Sequence, residues 1–330
     1  MTATYSRDSG EQVNGHHSQE RPVLVLAADH RESIERDLYG LTAPATPLQA
    51  ARISADKLIV YQALLDATEQ LPADVHPGIL VDEQYGATIA ELAARSAGII
   101  DLSMPIESSD QRWFHFAYDE DWTRHADFFH PDHVKALARD NPGLDRVQRK
   151  LQAERLAKVS SWASANGRSL VIELNVPPSH SDNYSDKGDQ DRYERELRPK
   201  HTLTVMKYLQ DHGVEPDIWQ IEGLNQHDDA VAIAAAAGAA GRPGRCMVLG
   251  RHASHETLDH WLQVAAPIPG WIGFVIGRSI WWDALHAHLH HHSTAGEAQR
   301  RICAAYLDFA RYFVSARNGT LSSNPDPEFW

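Results

Sequence analysis

A single (β/α)8 barrel is the fold class this sequence predicts, and three observations carry it. Eight short apolar runs, rich in β-branched and aromatic residues, alternate with helical segments along a chain of 330 residues. Two consecutive units near the C-terminal end, Arg245-Cys-Met-Val-Leu-Gly250-Arg251 and Trp271-Ile-Gly-Phe-Val-Ile-Gly277-Arg278, each read as buried strand, glycine, arginine and helix start. No Gly-x-Gly-x-x-Gly follows the first apolar run, which disfavours the alternative, a doubly wound open sheet.

The elements follow in order. Residues 1–21 are polar and rich in Ser, Glu, Gln and His, the composition of a disordered leader. The barrel is expected over 22–317, and 318–330 should be a loose tail. Val23–Ala28 is the first strand and runs into Asp29-His30-Arg31; Leu48–Gln70 has helical periodicity. Gly78–Asp82 is the second strand and Ala87–Ser96 a helix; Gly98–Met104 is the third strand, with Pro105 and Glu107 opening its loop. The fourth strand, His133–Ala138, follows an aromatic, acidic loop. Val147–Asn166 is a helix closed by Gly167. Arg168–Asn175 is the fifth strand, followed by a polar stretch, Pro177–Lys200, that reads as a long loop. Thr202–His212 is helical, Asp217–Gly223 is the sixth strand, and the Ala-rich run Asp229–Ala240 is its helix. After the seventh and eighth strands, Glu297–Val314 closes the fold as a helix.

A composition of 42% hydrophobic and 23% charged residues supports a large core. The net charge of -14 argues against nucleic-acid or membrane-surface binding by the whole molecule. No apolar run reaches membrane-spanning length and no signal peptide opens the chain, so a cytoplasmic protein is expected. Cys246 and Cys303 read as reduced thiols. The histidine run from His286 to His292 places His286 and His290 on one helix face, but it lies away from the strand mouths, so neither a metal nor another cofactor is expected. The tryptophans, Trp281 and Trp282 among them, read as core and interface anchors and leave a homo-oligomer open.

In such a barrel the site gathers at the C-terminal strand ends. Those ends carry Asp29 with Arg31, Asp82, Glu107, Lys135 with Arg139, Glu173, Gln220 with Glu222, Arg251 and Arg278. Gly250–Arg251 and Gly277–Arg278 fall after strands seven and eight, where barrels commonly hold a phosphate. Lys135, set in an apolar strand, has two readings: an amine of depressed pKa that attacks carbonyls, or an ion pair with Glu173 or Asp29. Glu173 is placed to move protons. Two basic phosphate positions, a central lysine and facing carboxylates fit carbon–carbon bond chemistry on a phosphorylated keto sugar.

Several motifs together carry a resemblance: Ala28-Asp-His-Arg31, Ile79-Leu-Val-Asp82, Val134-Lys135, Asp217-Ile-Trp-Gln-Ile-Glu-Gly223 and Gly273-Phe-Val-Ile-Gly-Arg-Ser-Ile-Trp-Trp-Asp283. Over Pro22–Val314 the chain resembles the aldolase domain of inositol catabolism, 5-dehydro-2-deoxyphosphogluconate aldolase, and more distantly is similar to tagatose 1,6-bisphosphate aldolase. The resemblance implies a class I aldolase barrel that releases dihydroxyacetone phosphate and malonate semialdehyde. It also implies proton transfer by Asp29 and Glu173, an active-site role for Lys135, and substrate or phosphate contacts from Arg31, Arg251 and Arg278. The position matching the Schiff-base lysine of that family is Gln220, and an amide cannot form an imine. Three readings stay open: Lys135 supplies the amine instead, the chemistry is acid–base only, or the barrel binds a phosphosugar without turnover.

Overall fold

The computed structural model describes residues 21–96, 98–182 and 187–321. Eight parallel strands form a closed barrel in sequence order: β1 (Val23–Ala28), β2 (His76–Val81), β3 (Asp101–Pro105), β4 (His133–Arg139), β5 (Ser169–Asn175), β6 (Ile218–Glu222), β7 (Arg245–Leu249) and β8 (Trp271–Ile276). Around it run α1 (Glu32–Asp37), α2 (Pro47–Thr68), α3 (Glu83–Ala94), α4 (Trp122–Phe128), α5 (Arg146–Ala165), α6 (Lys187–Arg192), α7 (Arg198–Asp211), α8 (His227–Ala237), α9 (His255–Ala265), α10 (Arg278–Leu289) and α11 (Ala295–Arg317). The leader expected over 1–21 lies outside the described residues apart from Arg21, as does the tail beyond 321. Among the described residues no helix is long and apolar enough to cross a membrane.

Alternation along each strand sorts the core into two layers. Val25, Ala27, Leu80, Val171, Ile218, Met247, Leu249, Ile272 and Val275 fill the barrel interior. Their neighbours in sequence, such as Leu26, Ile172 and Trp219, pack outward against the helices. The polar residues Lys135, Glu173 and Gln220 share the inward face, so the strand period itself aims them at the barrel axis.

Several boundaries move for reasons of capping. Asp82 is not the last strand residue but the N-cap of α3: its carboxylate accepts from the Tyr85 N–H, so the helix begins at Glu83. Capping boxes, Thr46 with Gln49 and Thr294 with Glu297, start α2 and α11 ahead of their apolar patterns. The aromatic, acidic segment before β4 contains α4. The stretch 177–200 is not a structureless loop. It holds a helical turn at His180–Asp182, then α6, a π-turn (Tyr193–Leu197) and the start of α7. Two buried side chains pin it. The Tyr193 hydroxyl donates to Val176 O at 2.6 Å, and Arg198 donates to Glu222 O and Gly223 O at 3.2 and 2.6 Å.

Gly277 shows why a side chain is not tolerated after β8. A Cβ there would lie 2.5 Å from Ala27 O and 3.1 Å from Cε1 of His30, so β8 closes on β1 only through a glycine.

Candidate active site

Register stacks the polar residues into layers. Lys135 pairs with Val171, while Glu173 pairs with Leu137 on one side and Gln220 on the other. The lysine therefore starts one layer below Glu173, and its long stem carries the amine up to it. Lys135 Nζ lies 2.6 Å from Glu173 Oε2, 2.8 Å from Glu107 Oε1 and 3.1 Å from Asp29 Oδ2. An ammonium has three protons to donate, and here three carboxylates accept. The residue is 2% exposed.

That geometry matches the second reading of Lys135, an ion pair with Glu173 and Asp29, and not an amine of depressed pKa. Burial pushes the Lys135 amine down, but Asp29, Glu107 and Glu173 together outweigh it and hold its pKa well above the ordinary lysine value. The geometry is that of an ammonium held by three ion pairs.

The carboxylates around it do not behave alike. Burial raises the Asp29 pKa, yet Lys135 and Arg31, with His30 at acid pH where its ring is protonated, pull it down to about 2. For Glu173 burial wins over Lys135, and the charge of Asp29 adds to it, so its pKa is raised. Of the three carboxylates on the ammonium, Asp29 is thus the more firmly ionised and Glu173 is shifted towards its protonated form.

Above this cluster opens a cavity of about 230 Å³ lined by residues that include Asp29, His30, Glu173, Asn175, Arg251, His252, Gly277 and Arg278. Arg251 and Arg278, the two arginines expected to hold an anion, face the same space. Arg251 and His252 both adopt left-handed backbone, with φ of 45° and 58°, a conformation that non-glycine residues seldom take. Arg251 Nε reaches Glu222 Oε1 at 2.9 Å and Nη1 reaches Glu194 Oε1 at 3.2 Å. Arg278 is the first residue of α10. It lies over the Trp282 ring at 5.0 Å and bonds Asp37 Oδ2 at 3.0 Å.

The other candidates lie off the cavity wall. Lys135 sits beneath it, screened by Asp29 and Glu173. Gln220 is buried beside Glu173, and its Oε1 has no partner among the described residues. Gly250 lies between two lining residues, Leu249 and Arg251, without lining the cavity itself. Arg31 turns away and donates to Glu107 O at 2.8 Å, so it steadies the Glu107 loop and does not line the cavity.

His30, Asn175 and His252 line the cavity without having been singled out from the sequence. The signal for Asn175 was present: it falls two residues after Glu173, on the same strand face. The His30 ring packs edge-on to Trp281, with centroids 5.3 Å apart, and Trp281 Nε1 donates to Ala27 O at 2.8 Å. Burial, helped by the charges of Arg278, Lys57 and Lys135 and opposed by Asp29, pushes the His30 pKa down to about 4, so the ring is neutral near pH 7. A second buried lysine, Lys57 on α2, pairs with Asp82 and lies over the Tyr85 ring at 5.6 Å.

A likeness to fructose-bisphosphate aldolase from Plasmodium falciparum, solved in a ternary complex with TRAP and a small-molecule inhibitor, covers 91% of each chain with a TM-score of 0.61 and 12% identity. At that identity the likeness establishes the shared barrel fold and leaves the chemistry to the residues. No curated protein matches the sequence. The matching family model spans residues 11–317, and the chain belongs to the family described as "Uncharacterized protein conserved in bacteria (DUF2090)".

Proposed function

We propose that this chain is a lyase of the aldolase type that cleaves a phosphorylated keto sugar or keto acid by acid–base chemistry, without an imine. One observation carries the reading: a split pair of carboxylates, Asp29 and Glu173, shares one ammonium at the floor of a cavity whose rim bears Arg251 and Arg278. The arginines and the N-terminus of α10 suit a phosphate. The carboxylates suit the carbon atoms at the other end. Glu173, with its raised pKa, accepts the proton of a hydroxyl as the adjacent carbon–carbon bond breaks. The bonding electrons move into the neighbouring carbonyl as an enolate, and Glu173 returns its proton to the carbanion carbon. The fixed charge of Lys135 lies 2.6 Å from Glu173 and offsets the negative charge as it passes from that carboxylate to the enolate. Asp29 stays ionised and keeps Lys135 in place.

The substrate we assign first is 5-dehydro-2-deoxygluconate 6-phosphate, cleaved to dihydroxyacetone phosphate and malonate semialdehyde; its support is the set of strand-end motifs and the barrel shared with an aldolase. The test measures dihydroxyacetone phosphate released from that compound and a panel of ketose phosphates, with and without borohydride. Turnover that borohydride leaves intact is expected, together with a fall of about 10²–10⁴-fold in kcat for Glu173→Gln. A borohydride adduct on Lys135 would replace this mechanism with an imine. Thermal stabilisation by the whole panel with no cleavage would leave a phosphosugar-binding barrel.

A further inference from the structure

Three residues lining the cavity carry buried polar atoms that find no hydrogen-bond partner among the described residues: His30 Nδ1, Asn175 Oδ1 and Arg278 Nε. Buried polar groups are normally satisfied, and orphans gathered in one cavity specify what a ligand must supply. Arg278 Nε can only donate, so it calls for an acceptor such as a phosphate oxygen. Asn175 Oδ1 can only accept, so it calls for a hydroxyl or amine proton. His30 Nδ1 lies 3.9 Å from the nearest oxygen of Asp29, too far for a hydrogen bond.

His30 and Asn175 stand on opposite walls of the barrel, at the ends of β1 and β5. The edge-on contact with Trp281 and the missing side chain at Gly277 fix the plane of the imidazole. The backbone of Asn175 is tied to β4, where its carbonyl accepts from the Asp140 N–H at 3.1 Å. Asn175 follows Glu173 on the same face of β5, so a ligand group reaching it also passes the proton-carrying carboxylate.

We propose that His30 and Asn175 are specificity residues that read a hydroxyl on the substrate carbons between the arginine rim and the carboxylate floor, and so select hydroxylated phosphate esters over their deoxy counterparts. This rests on the phosphate and carboxylate placement proposed above. Because the imidazole is neutral, one ring nitrogen donates and the other accepts, and the pair offers a hydroxyl both halves of its hydrogen bonding. A ligand lacking that hydroxyl leaves the buried Asn175 oxygen unpaired, which is how buried polar groups discriminate.

Titration calorimetry with three probes decides it: inorganic phosphate, dihydroxyacetone phosphate, and hydroxyacetone phosphate, which lacks only the free hydroxyl. The parent chain is expected to bind dihydroxyacetone phosphate about tenfold more tightly than hydroxyacetone phosphate. His30→Gln and Asn175→Ala should each erase most of that preference and leave inorganic phosphate within about twofold. Thermal unfolding confirms that each variant folds, and His30→Ala and Asn175→Ser stand in for one that does not. Equal affinity of the parent for the two ketone phosphates overturns the inference, as does an equal loss of all three probes in the variants. A parent that binds none of the three sinks the phosphate placement itself, an outcome distinct from binding phosphate without reading the hydroxyl.

Discussion

Lys135 and Lys57 are both buried lysines, 2% and 1% exposed, and their pKa values move in opposite directions. Burial lowers the Lys57 pKa, and its partner Asp82 does not fully offset that. Burial acts on Lys135 too, but Asp29, Glu107 and Glu173 reverse the outcome and raise its pKa. Removal from water is therefore not what makes a lysine amine reactive. The number of carboxylates facing the ammonium decides, because each one stabilises the charged form and offsets the desolvation that disfavours it.

The comparison breaks first at Lys135. Lys135→Met leaves three buried carboxylates around a neutral stem, and a loss of about 3–5 kcal/mol in folding stability is expected at pH 7. The stranded carboxylates would bind protons more readily in the folded state, so the deficit should shrink as pH falls towards 5. Urea unfolding at both pH values checks this; a loss below about 1 kcal/mol at pH 7 would mean that the cluster does not depend on its cation.

Lys57→Met strands a single carboxylate, and Asp82 keeps the Tyr85 N–H as a partner. A smaller loss, about 2–3 kcal/mol, is expected, and adding Asp82→Asn should recover part of it. Should the two lysine variants cost the same, the carboxylate count would not be what separates the two sites.

Acid titration sharpens the picture with a smaller effect. The folded His30 pKa, about 4, lies below its ordinary value of 6.5, so the native state refuses a proton that the unfolded chain takes. Stability is then complete above about pH 6.5 and is lost as pH falls towards 4. Asp29, at about 2 against 3.8, contributes stability above 3.8 that is lost as pH falls through 2. His30→Gln should flatten the upper window and, by removing one charge that lowers the Asp29 pKa, narrow the lower one slightly. An unchanged slope between pH 6.5 and 4 would assign the acid sensitivity elsewhere.

Much of the barrel was legible because strand and helix periods were clean: β1 and β8 fall on the residues the apolar runs mark, and the eight-strand order follows. What failed was local. Asp82 reads as a strand-end carboxylate, yet it caps a helix at Tyr85 and binds Lys57, 25 residues before it, a contact no local pattern shows. The stretch 177–200 is polar enough to pass for a loop, because the buried faces of Tyr193 and Arg198 are satisfied through carbonyls of β5 and β6 that no local pattern reveals. At the site, strand ends marked Asp29, Glu173, Arg251 and Arg278, all of which line the cavity. The state of Lys135 was not readable, since it depends on Glu107, which reaches the amine from the loop after β3. Arg31 was misplaced for a related reason: it points at the Glu107 backbone, not at the opening.

The smallest structural change makes the most direct chemical test. Gln220 is level with Glu173 and flanked on its other side by Met247, so an amine introduced there meets fewer carboxylates than Lys135 does. Gln220→Lys is expected to shift stability by about 1 kcal/mol. Its amine, less strongly held as an ammonium, should condense with a carbonyl. Incubation with dihydroxyacetone phosphate and borohydride, read by peptide mass, should then give an adduct at position 220 of the variant and none at Lys135 in either chain. The opposite pattern, an adduct on Lys135 of the parent chain, would show that three carboxylates do not keep a buried ammonium from becoming an amine, and the contrast between the two lysines would lose its chemical meaning.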